Sequence, residues 1–339
     1  MGVMNMNTAE VSSNELNIKG IGAEVMTQND SSHAKKRGFL HEIKKNRTLY
    51  IMCVPGLVFL LLFSYIPLAG IWMAFTDYNV VDGIFGSPFV GLKHLKYFFF
   101  GTGMGPKSIY NTLFLNCWGI ILGLVFPISI AIFFNEIKGK LYKKFTQSMM
   151  FFPYFLSWVV VGTLVYGLFA TDVGVVNRVI TFFGGEKIRW YADGRYWKPI
   201  LIIANVWKWS GYNSIIYLGA MTGFDASLYE AAEVDGANKI QRILHLTIPM
   251  LKPTAVVLTL MSIGRIFFGD FGMVYGIIGN NPVIGDSVAV IDTYVYSCMR
   301  SLGFSYSTAV GLFQSIMGLI LVTLANAAAR KINDGEGLF

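Results

Sequence analysis

Glu230-Ala231-Ala232-Glu233-Val234-Asp235-Gly236 is a polar stretch between two long apolar segments, and it continues to Ile248-Pro249. Asp225 or Ser227 can cap a helix here, because a short side-chain oxygen accepts hydrogen bonds from the free backbone N–H groups of the first turn. The residues from this cap to the end of the Glu-Ala-Ala-Glu-Val run favour a helix. The sequence therefore predicts a short helix that lies outside the apolar segments.

A second short helix is predicted after the glycine. Gly236 permits a turn, and the next helix is expected from about Lys239 to Leu246. Pro249 is expected to end that helix before the next apolar segment begins. Two short helices beside a membrane surface suit insertion into a groove on a soluble partner.

The composition is that of a polytopic membrane protein. Of the 339 residues, 54% are hydrophobic and only 14% are charged, whereas soluble domains carry about 25% charged residues. The net charge of +7 does not indicate nucleic-acid binding, because the basic residues cluster beside apolar segments. Cys53, Cys117 and Cys298 show no paired spacing, and no phosphate-binding loop or catalytic set is present.

Six apolar segments are long enough to span a bilayer, since a spanning helix needs about 20 residues. Their approximate ranges are 49–76, 109–135, 146–170, 199–221, 251–278 and 306–329. They form a predicted transmembrane domain over 47–333, and residues 1–46 are predicted to be a disordered basic tail. Two pairs of glycines, Gly119 with Gly123 and Gly272 with Gly276, permit close helix packing.

Loop charges predict that both termini are cytoplasmic. Basic residues precede the first segment, occupy the second–third loop and follow the sixth segment, at Lys35, Lys36, Arg37, Lys44, Lys45, Arg47, Lys138, Lys140, Lys143, Lys144, Arg330 and Lys331. Such residues favour the cytoplasmic side. Alternation then places the polar stretch inside as well. Aromatic residues in the outer loop 171–198 suit an interfacial belt or a docking surface for an extracellular protein.

The polar stretch resembles the signature of binding-protein-dependent ABC importers, which reads EAA, three residues, Gly, nine residues, then I-x-L-P. Here the last part is Leu246-Thr247-Ile248-Pro249, with two aliphatic residues exchanged. The region 49–333 is similar to carbohydrate-uptake permeases of the maltose and glycerol-phosphate type, in their oligosaccharide/polysaccharide branch. The segments that carry this likeness are 87–92, 155–160, Trp207-Lys208-x-Ser210-Gly211-Tyr212, 214–218 and 308–315.

The resemblance implies a type I ABC importer permease fold with cytoplasmic coupling helices in a bacterial plasma membrane. The implied partners are a second, different permease, two ATPase subunits that bind ATP and Mg²⁺, and an extracellular solute-binding protein; this chain itself takes no cofactor. The coupling loop is residues 222–250, and its implied ATPase-coupling residues are Glu230, Ala231, Ala232, Asp235, Gly236 and Pro249. Two alternatives stay open: a permease for a peptide or polyamine, and a channel or scaffold.

A sugar path is predicted in the fourth and fifth segments, because polar groups inside spans are costly and mark pathways or buried pairs. Asn205, Trp209 and Tyr212 lie at i, i+4 and i+7, on one helical face. The fifth segment carries Arg265 and Asp270.

The resemblance to maltose-type permeases adds two positions of the fifth segment, Ile266 and Phe267. The alternative is a structural pair of Arg265 and Asp270, which Lys208 can join, with the tryptophans packed against neighbouring helices.

Overall fold

The computed structural model describes residues 46–101 and 103–332, which are mostly helical. Within those ranges the one extended pairing is a bridge between Thr76 and Phe89, and no strand is formed. The predicted all-α class is therefore confirmed. The predicted tail, with the basic residues from Lys35 to Lys45, lies outside the described residues apart from Asn46. The chain divides into two units, residues 1–68 and 69–339.

Nearly all of the described part of the first unit belongs to one apolar helical segment, which begins at Arg47 and ends at Phe75, beyond the unit boundary. Helix α1, Arg47–Leu60, continues into a π-helical turn, Leu61–Tyr65. A 3₁₀ helix, Ile66–Phe75, follows, so the apolar helical segment Arg47–Phe75 is 29 residues long. No residue of α1 is buried. An apolar helix without a polar face suits a lipid environment.

The second unit is built from helices of very different length. In chain order its α-helices are α2 Gly83–Gly86, α3 Lys93–Phe100, α4 Met104–Glu136, α5 Lys140–Phe151, α6 Trp158–Phe169, α7 Val175–Phe182, α8 Trp197–Met221, α9 Ala226–Val234, α10 Lys239–Arg242, α11 Ile248–Gly264, α12 Phe271–Ile278, α13 Pro282–Val288, α14 Ile291–Ser301 and α15 Phe304–Ile332. Short 3₁₀ helices at Phe152–Phe155, Trp190–Ala192 and Gly194–Tyr196 connect some of them.

Four helical segments of the described chain are long and apolar enough to cross a membrane, and five if a bent pair is one span. The four are Arg47–Phe75, Met104–Glu136, Lys239–Gly264 and Phe304–Ala328, and the pair is Lys140–Phe155 with Trp158–Phe169, bent by 99°. The predicted count of six is not confirmed. The difference is α8, which has 25 residues but is interrupted by lysines and asparagines that lower its hydropathy.

Two predicted boundaries are wrong. The fifth apolar segment is not one helix, because α11 ends at Gly264 and α12 begins only at Phe271. Pro249 does not end the second short helix either: helical structure runs without a break from Lys239 to Gly264. A π-helical turn, Ile243–Thr247, directly precedes Pro249. Proline sits in the first turn of α11, where its missing N–H costs no hydrogen bond of that helix.

The main core lies where α4, α6, α8 and α12 meet. Trp197 and Leu201 of α8 are fully buried there, beside Val161 of α6 and Ile277 of α12. Within a membrane domain such side chains stabilise the fold through close van der Waals packing rather than through transfer out of water. Of the aromatic residues in loop 171–198, Trp190, Tyr191, Tyr196 and Trp197 pack in this core, while Phe182 and Phe183 are exposed.

One of the two predicted glycine pairs packs closely. A Cβ on Gly162 of α6 would collide with the backbone oxygen of Gly276 of α12, and a Cβ on Gly272 would meet Trp158. Helices α6 and α12 therefore touch backbone to backbone. Gly119 and Gly123 of α4 have open space beside them, because they line a cavity.

Candidate functional site

A cavity of about 660 Å³ opens among α4, α8, α11 and the segment between α11 and α12. We call it the polar cavity. Its lining residues are Asn116, Gly119, Ile120, Gly123, Leu124, Asn205, Trp209, Asn213, Ile216, Tyr217, Leu258, Thr259, Met261, Ser262, Arg265, Phe268, Gly269, Asp270 and Phe271. The cavity thus combines aromatic and amide side chains with one cation and one carboxylate. Its volume is in the range of small-molecule sites.

Helix α8 contributes a polar stripe to this cavity. Asn205, Trp209 and Asn213 follow one another at four-residue spacing and all three line the cavity. The Asn205 amide donates only to the sulfur of Met273, at 3.6 Å, and sulfur is a weak acceptor. Asn213 makes no hydrogen bond within the described residues. Both amides are therefore available to a ligand.

Tyr212, which was predicted to share this face, does not line the cavity. Its ring stacks on Tyr154 with centroids 4.0 Å apart and planes 7° apart. At about 100° per residue, Tyr212 lies roughly 20° to one side of Asn205, whereas Trp209 lies about 40° to the other side. The cavity extends toward Trp209 and Asn213. Tyr212 therefore lies on the side of this helical face that points away from the cavity.

The break between α11 and α12 is held by side chains from three other helices. The Asn116 amide donates to the backbone oxygens of Ile266, at 2.7 Å, and Phe268, at 3.0 Å. The Gln314 amide of α15 donates to Phe267 O at 2.8 Å. Asp292 of α14 accepts the Gly269 N–H at 2.6 Å and a second bond from Gln314 at 3.1 Å.

These bonds explain why a non-helical segment exists inside a predicted span. Irregular backbone at membrane depth is tolerated where protein groups satisfy it or where it lines a cavity. Here both conditions hold for residues 265–270, which we call the loop of the fifth span. Ile266 and Phe267 do not line the cavity; Phe267 is buried with Phe98 and Tyr294, and Ile266 packs against the same cluster. Both residues therefore lie outside the polar cavity, and their place in a sugar path stays a prediction.

Arg265 and Asp270 both line the cavity, but they form no ion pair with each other. Asp270 caps α12, where it accepts the Met273 N–H at 2.8 Å. Lys208 does not complete an ion pair either, although it lies near enough to Asp270 to attract it.

Lys208 has another role. Its ammonium donates to the backbone oxygens of Pro153, Tyr154 and Leu156, at 3.3 Å and 2.9 Å for the first two. These carbonyls lie at the 99° bend between Phe155 and Trp158. The buried lysine therefore stabilises the bend of the third predicted span.

The coupling loop folds largely as predicted. Helix α9, Ala226–Val234, is capped by Asp225, which accepts the Ser227 N–H at 2.9 Å. That hydrogen bond holds the pKa of Asp225 below its usual value. Gly236 makes the turn with φ of 79°, a conformation that favours glycine. Asn238 and Gln241 then form a capping box at the start of α10.

Most of the predicted coupling residues are exposed on the surface rather than packed in the core. Glu230, Ala231, Asp235, Gly236 and Pro249 are exposed, and Ala232 is half-buried. Ala232, Asp235 and Gly236 line a shallow cavity of about 380 Å³, with Ala237, Gln241, Arg242, His245 and Leu246.

Nearby apolar side chains are exposed as well. Val234, for example, is 88% exposed. Two ion pairs hold the segment in place. Glu233 pairs with Arg242 at 2.7 Å, and Glu136 pairs with Lys239 at 2.6 Å.

Some cavity residues were not predicted from the sequence. Asn116, Thr259 and Ser262 line the cavity, and Gln314 holds the loop of the fifth span. Asn116 and Gln314 carry the same sequence signal as Asn205, because each is a costly polar group inside a predicted span, the second and the sixth.

The sequence is similar to a known protein family and to individual transport proteins. Residues 119–334 match the family described as "Binding-protein-dependent transport system inner membrane component". The polygalacturonan/rhamnogalacturonan transport system permease protein YteP of Bacillus subtilis (strain 168) is 39% identical over 306 residues, which cover 90% of this chain and 94% of that protein. The lactose transport system permease protein LacF of Rhizobium radiobacter is 32% identical, over 66% of this chain and 76% of its own.

A solved structure is also similar. In the bacterial alginate ABC transporter in complex with an alginate pentasaccharide-bound periplasmic protein, one chain is 32% identical to this one. The two superpose with a TM-score of 0.77, over 87% of this chain and 98% of that chain.

Proposed function

The chain belongs to the family of binding-protein-dependent transport system inner membrane components, and from this premise we propose that it conducts an oligosaccharide through the polar cavity. As a member of that family it is a membrane-embedded transport subunit rather than an enzyme. The relatives named above transport polygalacturonan or rhamnogalacturonan, lactose and alginate. Their names favour a carbohydrate over a peptide or polyamine, and family membership disfavours a channel or scaffold.

The observation that carries the proposal is the chemistry of the cavity wall. Trp209 presents a half-buried ring, and rings of this kind stack on the apolar faces of sugars. The amides of Asn205 and Asn213 have free hydrogen-bonding capacity beside it. A pocket with an aromatic platform and a few convergent polar groups binds a neutral, hydroxyl-rich molecule in a defined orientation.

A matched pair of tryptophans tests the proposal. Trp209→Ala removes the ring that lines the cavity, and Trp207→Ala removes a ring from the same helix that is 46% exposed and lies outside the cavity lining. Uptake by the complete transporter in proteoliposomes should fall at least tenfold for Trp209→Ala and stay within about twofold of wild type for Trp207→Ala. Equal effects of the two substitutions would contradict the sugar path.

Asp270 needs a more careful variant, because its carboxylate also caps α12. Asp270→Asn keeps the capping oxygen and removes the charge, whereas Asp270→Ala removes both. We expect Asp270→Ala to abolish uptake while the complex assembles and keeps basal ATPase activity. Uptake at the wild-type rate in Asp270→Ala would show that this residue is outside the path.

We further propose that the coupling loop docks on a separate ATPase subunit, which binds ATP and Mg²⁺, and that a second permease completes the membrane part. The supporting observation is the exposed surface around Gly236. Glu230 and Asp235 have no ion pair within the described residues, so both carboxylates are free for basic groups of the ATPase.

Substitution at Gly236 tests the docking surface. A Cβ there meets nothing within 4 Å, so bulk is tolerated by this chain alone, although the positive φ disfavours most side chains. Gly236→Asn keeps the left-handed turn accessible, and Gly236→Trp adds a large ring. Only Gly236→Trp should abolish substrate-stimulated ATPase activity in an assembled complex. Full stimulation in Gly236→Trp would overturn the docking surface.

A further inference from the structure

The polar cavity has two charged side chains, and only one of them has hydrogen-bond partners in the described part of this chain. Of its lining residues only Arg265 and Asp270 are ionisable at neutral pH. All other polar lining groups are amides, hydroxyls or the tryptophan indole. The electrostatic preference of the cavity therefore depends on how these two groups are neutralised by the protein itself.

Asp270 is satisfied by its own chain. Its carboxylate accepts the Met273 N–H at 2.8 Å, and the Trp158 indole and the Gly272 N–H lie close enough to favour its charged form. Lys208 adds a favourable charge from behind the cavity wall. Asp270 therefore already has partners in this chain, although its carboxylate keeps acceptor positions for hydroxyl groups of a sugar.

Arg265 has no such partners. Its side chain is exposed to the cavity, and within the described residues its guanidinium makes no hydrogen bond, ion pair or ring contact. An ionised group inside a membrane domain is costly and ordinarily has a partner. Guanidinium presents a rigid fork of N–H donors that matches the two oxygens of a carboxylate.

We propose that the substrate is an oligosaccharide that carries carboxylates, such as a chain of uronic acids, and that Arg265 binds one of them. This inference rests on the proposed function, because it names the class of sugar that enters the same cavity. Arg265 is the specificity-determining residue in this account. Trp209, Asn205 and Asn213 bind the uncharged faces and hydroxyls, which acidic and neutral sugars share.

The test compares two substitutions and two probes. Arg265→Gln removes the charge and keeps much of the side-chain length, and Arg265→Lys keeps the charge. The probes are tri-galacturonate and its carboxyl-reduced counterpart, a neutral trisaccharide of the same length and linkage. Equilibrium binding of each labelled probe is measured on the purified permease–ATPase complex without the binding protein, whose own preference would otherwise enter.

We expect Arg265→Gln to weaken binding of tri-galacturonate by about ten- to hundredfold, the usual size of a lost charge-assisted hydrogen bond. Binding of the neutral trisaccharide should change by less than about threefold. Arg265→Lys should keep the preference for the acidic probe. Because this second variant retains the charge, it still tests the preference if Arg265→Gln does not assemble.

Three outcomes would overturn the inference. In the first, Arg265→Gln weakens the binding of both probes equally. In the second, that variant binds tri-galacturonate as tightly as wild type does. In the third, neither wild type nor Arg265→Lys binds the acidic probe more tightly than the neutral one. Equal weakening would indicate that Arg265 maintains the cavity without recognising a carboxylate. If instead wild type bound neither probe and took up no oligosaccharide, the proposed function itself would fail.

Discussion

Gln314→Met tests whether the loop of the fifth span must be held in place for transport. Gln314 is only 5% exposed and lies outside the cavity lining, so it cannot touch a sugar there. It is a positioning residue. Its amide donates to Phe267 O at 2.8 Å and to Asp292 at 3.1 Å. Methionine has nearly the same length and no donor, so the change removes the two bonds with little change in packing.

The magnitude follows from the two bonds. A hydrogen bond between neutral groups contributes about 0.5–1.5 kcal/mol and one to a charged group about 1.5–3 kcal/mol. Their loss costs the native loop roughly 2–4 kcal/mol. At about 1.4 kcal/mol per factor of ten, the population of correctly placed loop can fall by tenfold or more, because Arg265, Gly269 and Asp270 all depend on the path of this backbone.

The assay is oligosaccharide uptake by proteoliposomes that contain the complete transporter. We expect the half-saturating concentration to rise at least tenfold in Gln314→Met, while basal ATPase activity stays near wild type. Ser315→Ala is the matched control, since Ser315 is the next residue and its hydroxyl bonds only to Gly311 O of the same helix. Normal half-saturation in an assembled Gln314→Met complex would refute the role of this loop.

Two further substitutions and a pair of reporter fusions test the surrounding architecture. Lys208→Met removes the donors at the bend of the third span and should destabilise the complex by roughly 2–4 kcal/mol; an unchanged thermal midpoint would contradict this role. Gly162→Leu should lower the midpoint because its side chain meets the facing helix, at a cost of about 1–3 kcal/mol, whereas Gly167→Leu, which has open space, should not. A reporter fused after Gly337 should be cytoplasmic and one inserted near Gly285 external, and the reverse would overturn the proposed orientation.

The sequence predicted what periodicity and capping control. The first helix and the glycine turn of the coupling loop were predicted correctly because Asp225 and Gly236 are local signals: a helix cap and a residue suited to positive φ. The apolar segments were found because spanning length and composition are properties of one continuous stretch.

Tertiary contacts decided the features that the sequence did not predict. The fifth apolar segment looks continuous, yet it breaks at Gly264 because Asn116, Gln314 and Asp292, which are far away in sequence, satisfy the freed backbone. The place of Tyr212 outside the cavity likewise depends on its stack with Tyr154. The spacing of residues within one segment cannot identify contacts with residues of another segment.

Protection of a cavity thiol by sugar tests the central claim most directly. Asn213→Cys is introduced into a transporter in which Cys53, Cys117 and Cys298 are replaced, and its rate of labelling by a small thiol reagent is measured with and without tri-galacturonate. Val234→Cys on the exposed coupling loop is the control. If sugar occupies the polar cavity, it will slow labelling at position 213 severalfold and leave labelling at position 234 unchanged. Equal labelling rates at position 213 with and without a sugar that the same complex transports would contradict the account.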